Sequence, residues 1–175
     1  MPAGVWIGRA GFLAMAIAIL LIALVPLGFT PRFIPGPDML LVLIFAYLFR
    51  RPEFAPVWLL VPVLLVQDIL TLRPLGLWTA IILIAAEFAR GQEFRMRERI
   101  FLAEWGLVAF LIFLAMLANR LVLSLALVPP PGLVVDLLHV VVTALAYPIM
   151  VFFCYFALRV RKVTPEQAIR FGHRL

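Results

Sequence analysis

The sequence predicts an all-α integral membrane protein: a compact bundle of six transmembrane helices, several of them short or kinked by proline. Three observations predict it: a high hydrophobic content, six apolar runs separated by polar or proline-rich turns, and a one-sided distribution of basic residues. Of the 175 residues, 66% are hydrophobic and 14% are charged, whereas soluble domains contain about 45–50% apolar residues. A soluble fold of this size could not keep that much apolar surface out of water, so we place the chain in a bilayer.

Six apolar runs approach the ~20 residues that a transmembrane helix needs. They cover residues 8–28, 38–49, 54–70, 75–89, 100–120 and 133–158. The first is too long for a signal-peptide core, and a bulky, proline-rich segment follows it, so we expect a retained span. The second rises only about 18 Å, so protein or a thinned bilayer must cover the difference. Pro62 and Pro148 predict kinks in the third and sixth spans.

The basic residues predict the orientation, because Lys and Arg accumulate in cytoplasmic loops. With the N-terminus inside, twelve basic residues fall on the inner side and three on the outer side. The outer three are Arg32, Arg73 and Arg120. All three Asp lie at outer helix ends and all six Glu at inner ends. We therefore expect both termini in the cytoplasm, and we interpret the net charge of +6 as attraction to anionic lipid rather than to nucleic acid.

The two ends of the chain differ in their expected organisation. Residues 1–162 form the six-span domain, and residues 163–175 form a cytoplasmic tail. Thr164 and Pro165 open a short helix in the tail, as N-cap and first helical residue.

The three aspartates are the first candidates for chemistry, because an ionisable residue in a membrane span is a functional hypothesis. Asp38 and Asp136 each follow a Pro- and Gly-containing turn, where a carboxylate caps the first turn of a helix. Asp68 instead lies near the end of the third span, where the helix dipole opposes its charge. We expect an ion pair with Arg73 or Arg120. A contact with a partner protein and the handling of an ion or substrate are the alternatives.

Other chemistry has little support in the sequence. Asp136 and His139 share one helix face, but two groups are too few for a metal site. Ser124 is the only serine and Cys154 the only cysteine, and phosphate-binding loops and paired mid-membrane carboxylates are absent. We predict a non-enzymatic chain without a metal or cofactor.

The inner segment 90–105 mixes Arg and Glu with apolar residues and predicts an interfacial helix that leads into the fifth span. Its arginines are Arg90, Arg95, Arg97 and Arg99. They anchor the chain on lipid headgroups or form a docking surface for a cytoplasmic partner.

Three stretches resemble the MreD family, the integral membrane subunits of the bacterial rod-shape system. "PGPDMLLVLIFAYLFRRP" (35–52) is similar to the family's second span with its basic-Pro exit. "VQDILTLRPLGLWTAIILIAAEFAR" (66–90) has the Asp, the hydroxyl residue Thr71 three positions on, and Leu75-Gly76 opening the next span. "VVVTALAYPIMVFFCYFALRVRK" (140–162) is similar to the last span with its central Pro. The commoner family pattern has Ser-Gly where this chain has Thr71-Leu72.

The resemblance implies a subunit in the bacterial inner membrane that binds MreC and so reaches RodA and penicillin-binding protein 2. Links to MreB and RodZ on the cytoplasmic side are also implied. The family is similar in turn to the six-span substrate-binding subunits of vitamin transporters. A second possible function is therefore substrate binding in a small-molecule transporter. This function predicts a partly polar cavity at the outer face. Polar groups available to it are Gln67, Asp68, Thr71, Arg73, Asn119, Arg120, Asp136 and His139.

Overall fold

Helices account for nearly all of the chain that the computed structural model describes, namely residues 3–24, 36–97, 99–130 and 132–156. The six α-helices are α1 (Ala3–Leu24), α2 (Met39–Leu48), α3 (Val57–Leu70), α4 (Leu77–Arg97), α5 (Phe101–Leu125) and α6 (Leu133–Phe156). A 3₁₀ turn, Pro52–Phe54, lies between α2 and α3. The predicted all-helical class is confirmed. The predicted tail helix lies outside the described residues.

Three helices, α1, α5 and α6, are long and apolar enough to cross a membrane. α2 and α3 are apolar but have only 10 and 14 residues. Pro62 and Pro148 both lie inside their helices, as the sequence predicts. α4 runs well past its predicted end at residue 89, and α5 begins at Phe101. The expected interfacial helix over 90–105 is therefore wrong, because its first half continues α4 and its second half belongs to α5.

α2 lies at the centre of the bundle. Every residue from Leu40 to Arg50 is buried, and α2 packs against α1, α4 and α6. At ~1.5 Å per residue this helix rises about 15 Å, whereas α6 rises about 36 Å. The sequence left open whether protein or a thinned bilayer surrounds this short helix; the burial shows that protein does. Because all faces of α2 meet other helices, its sequence is apolar all round.

The two ends of the bundle differ in their polar contacts. Asp38, Gln67 and His139 line one cavity together with the last turn of α1, and Arg120 of α5 meets Asp136 of α6. We call this the Asp end. At the opposite end, the Glu end, α2 finishes beside the first turn of α5, and the first half of α1 meets the 3₁₀ turn.

Candidate functional site

The side chain of Asp68 links the end of α3 to the start of α4 through hydrogen bonds. Its Oδ2 accepts hydrogen bonds from the backbone amide of Gly76 at 2.9 Å, the amide of Thr79 at 3.3 Å and the hydroxyl of Thr79 at 2.9 Å. Asp68 is fully buried. A carboxylate at these two amides satisfies donors that the first turn of α4 leaves without intrahelical partners, and it meets the favourable end of that helix's dipole.

This geometry corrects the expected ion pair between Asp68 and Arg73 or Arg120. Among the described residues, the partners of Asp68 are the Gly76 amide and the amide and hydroxyl of Thr79. The guanidinium of Arg73 instead lies over the ring of Trp78, 4.8 Å from its centroid. The unfavourable dipole of α3 is thus offset by the N-terminus of the next helix, which the sequence reasoning did not consider.

The turn after Asp68 explains how the chain reverses within six residues. The amide of Leu72 donates to the carbonyl of Ile69, and the amide of Arg73 donates to the carbonyl of Asp68. This is the Schellman arrangement, which requires a left-handed residue just past the helix. Leu72 supplies it with φ 52°, and Gly76 has φ 84° just before α4. Leu72 therefore adopts a conformation that glycine would adopt without strain.

The other outer residues predicted from the sequence divide into a pair and isolated positions. Arg120 Nη1 lies 2.5 Å from Asp136 Oδ2, so α5 and α6 are bridged next to their connecting turn. Asn119, beside Arg120, is half-buried. Thr71 is exposed, and its hydroxyl donates to the carbonyl of Gln67 within its own helix end. Asp136 lies in the first turn of α6 as predicted, although its side chain pairs with Arg120.

Asp38 is the centre of a second buried network at the Asp end. Its Oδ1 accepts from the Leu41 amide at 3.0 Å, which confirms the predicted N-cap of α2. The Gln67 amide nitrogen donates to both carboxylate oxygens at 2.9 and 3.0 Å. The Asp38 backbone amide donates to the Thr143 hydroxyl at 3.1 Å. One aspartate thus ties together α2, α3 and α6.

A cavity of about 650 Å³ opens above this network. Its walls are apolar on the α1 side, at Ile19 and Leu20, and polar on the other side, at Asp38, Gln67 and Arg73. Cavities of this size accommodate small organic ligands. It lies among the last turns of α1, the start of α2, the end of α3 and His139 of α6. A partly polar cavity, as the alternative function predicts, is therefore present, with Gln67, Thr71, Arg73 and His139 in its lining. Its position at the outer face of a membrane stays a prediction.

A buried charged cluster at the Glu end escaped the sequence reasoning. Arg50, just after α2, donates to Glu104 in the first turn of α5 at 2.9 Å. The Tyr147 hydroxyl of α6 donates to the same Glu104 oxygen at 2.5 Å. All three are buried, and Glu104 and Tyr147 fully so. The available signal was Glu104 inside an apolar run, since such a carboxylate requires a cationic partner.

The arginines predicted as docking residues differ in their surroundings. Arg90 is half-buried, donates to the carbonyl of Ala55 and lies 3.2 Å from Glu87, so it braces the α3 start. Arg95 and Arg99 are exposed. Arg97 ends α4.

Within the described residues, no group of three or more His, Cys, Asp or Glu side chains is placed to hold a metal ion. Comparisons with protein-family models, curated proteins and solved structures find no match to this chain.

Proposed function

We propose that this chain is a six-span, non-enzymatic membrane subunit of the MreD type, which binds MreC and helps to organise peptidoglycan synthesis during rod-shaped growth. In this proposal α1, α5 and α6 are three of the six spans, and the short α2 and α3 and the less apolar α4 are the other three. The Glu end, with its excess of Arg, faces the cytoplasm, and the protein lies in the bacterial inner membrane. RodA and penicillin-binding protein 2 are reached through MreC.

One observation carries the proposal: the three stretches that resemble MreD are the ones that build the centre of the bundle. The first stretch contains α2, and the second contains the Asp68 contact between α3 and α4. The third contains Thr143 and Tyr147 of α6, which contact the residues that flank α2. The Asp of the most recognisable stretch serves a helix–helix contact. Because the resembling residues serve the internal structure of the bundle, they support a structural subunit whose outer surface contacts partner proteins.

The exposed surface also suits this role. Large apolar side chains cover the outward faces of α5 and α6, including Phe110, Leu121, Val141 and Ile149, each more than half exposed. Such faces suit lipid tails and a single-span partner helix alike. At the Glu end, the exposed Arg95 and Arg99 provide cationic contacts for cytoplasmic partners of the MreB and RodZ type.

The test is depletion combined with site-specific crosslinking in a rod-shaped bacterium that carries this gene. A photoreactive residue at exposed Phe110 or Val141 is expected to crosslink to MreC, whereas one at buried Val42 provides the matched control and stays uncrosslinked. Depletion is expected to give round cells. Cells that stay rod-shaped, with MreC still purifying with its usual partners, would contradict the proposal.

The alternative is a substrate-binding membrane subunit of a small-molecule transporter, and the cavity at the Asp end favours it. It predicts a thermal shift with at least one compound of a vitamin panel, together with uptake of that compound that depends on the protein. Absence of any shift removes this alternative and leaves the leading proposal untouched.

A further inference from the structure

The cavity at the Asp end has two poles of opposite charge. Asp38 and Gln67, which are hydrogen-bonded to each other, line it together with Arg73, and His139 is also in the wall. Asp38 is 7% exposed and Gln67 is 6% exposed, so this pole is set inside the protein. Asp38 and Arg73 carry opposite charges, so their net charge is zero. The cavity therefore favours a ligand that has one positive and one negative group and no net charge.

The acidic pole has unused capacity for hydrogen-bond donors. The described partners of the Asp38 carboxylate are neutral groups, the Leu41 amide and the Gln67 amide nitrogen. Since Gln67 points its nitrogen at Asp38, its Oε1 is fixed as an acceptor, and that atom has no hydrogen-bond partner among the described residues. A carboxylate without a cation beside an unfilled acceptor suits a primary ammonium group, which carries three donors.

The basic pole of the cavity, Arg73, is held in place by its neighbours. Arg73 is held over Trp78, and its backbone amide is fixed by the Asp68 carbonyl at 3.1 Å. Its Nη1 has no hydrogen-bond partner among the described residues. A guanidinium in this state suits an anionic oxygen group such as a phosphate. The α1 wall, with Ile19, Leu20 and Ile22, offers an apolar surface beside the two poles.

We propose that this cavity binds a zwitterionic amphiphile with a primary ammonium and a phosphate, the chemistry of a phosphatidylethanolamine headgroup. The ammonium lies at Asp38 and Gln67, the phosphate lies at Arg73, and the glycerol and first acyl carbons lie along α1. The inference is independent of the proposed role in cell-wall elongation, and it assigns a ligand class to the cavity on which the alternative rests.

The test measures binding of short-chain lipids to the purified full-length chain by thermal shift and native mass spectrometry. Short-chain phosphatidylethanolamine is expected to bind at least about tenfold more tightly than phosphatidylcholine, which has no ammonium N–H, or phosphatidylglycerol, which has no cation. Free phosphoethanolamine separates the sources: binding as tight as the lipid's would assign the site to a soluble compound and overturn the lipid assignment. Equal binding of the three lipids, or binding of none, overturns the proposal.

Two variants test the location. Arg73→Gln is expected to weaken phosphatidylethanolamine binding at least about tenfold, while Arg95→Gln, which changes an exposed Arg away from the cavity, leaves it unchanged. Ala23→Trp places a large side chain in the cavity from α1 and is expected to abolish lipid binding. This variant tests the location independently if Arg73→Gln does not fold. Undiminished binding by folded Ala23→Trp contradicts the assignment. Loss of lipid binding with MreC crosslinking intact would separate this inference from the proposed function.

Discussion

The carboxylate of Asp68, in the last turn of α3, binds both the backbone amide and the hydroxyl of Thr79 in the first turn of α4. The two residues are eleven positions apart and belong to antiparallel neighbours. A single buried acceptor thereby caps one helix from the end of another. Amide and hydroxyl donors surround one carboxylate oxygen and offset part of the cost of burying it in an apolar bundle.

Asp68→Ala is expected to lower the free energy of unfolding in mixed micelles by roughly 2–4 kcal/mol, because three hydrogen bonds to a buried carboxylate are lost. Asp68→Asn keeps an acceptor oxygen, so we expect it to lower the free energy of unfolding by about half as much as Asp68→Ala. Thr79→Val removes only the hydroxyl, and Thr79→Ser is its matched control. If Arg73→Gln destabilises as much as Asp68→Ala while Thr79→Val is neutral, the ion-pair interpretation holds instead.

Leu72 and Leu127 hold the same conformation at equivalent helix ends. Each has positive φ, 52° and 56°, and each is more than 90% exposed. Leu72→Gly is expected to stabilise the protein by up to about 1 kcal/mol, because glycine adopts this region without the penalty that a Cβ brings. Leu125→Gly, inside the last turn of α5, is the control and is expected to cost about 1 kcal/mol. Destabilisation by Leu72→Gly would indicate that this exposed side chain has a contact of its own.

Gly8 allows α1 to approach the 3₁₀ turn. A Cβ at this position would lie 2.5 Å from the ring of Phe54, whereas one at Gly11 meets nothing within 4 Å. Gly8→Ala is therefore expected to cost about 1–3 kcal/mol through displacement of the ring. Gly11→Ala is expected to stabilise α1 by up to about 1 kcal/mol. Thermal melting of the two variants side by side measures the difference, and equal melting temperatures would rule out a tight α1 contact.

The cluster of Arg50, Glu104 and Tyr147 is expected to behave as one unit. Tyr147→Phe should cost about 1–3 kcal/mol, since a buried carboxylate loses a donor. Arg50→Met should cost more, about 3–5 kcal/mol, because Glu104 loses its cation. The double variant Arg50→Met with Glu104→Leu is expected to be more stable than the sum of the single effects. Strict additivity in this double-mutant cycle would show that the pair is not coupled.

Sequence patterns predict the helices here because hydrophobic runs and their proline and glycine boundaries act locally. Capping by Asp38 follows the same logic, since the cap and its amide are three residues apart. The partner of Asp68 is harder to foresee, because it depends on how α3 and α4 pack after the turn. Arg50 and Glu104 are 54 positions apart, so no local pattern joins them; only the general cost of an unpaired buried charge points to the pair. The cavity is lined by residues of four helices, so it is visible only after packing.

Co-purification of MreC with wild-type protein and with folded Asp68→Asn tests whether the chain is a partner-binding subunit. If the chain is a partner-binding subunit and Asp68 serves the bundle's internal structure, both proteins recover MreC equally at a temperature where the variant is folded. Wild-type protein that recovers no MreC would contradict the partner-binding role, and a folded Asp68→Asn variant that no longer recovers it would contradict a purely internal role for Asp68.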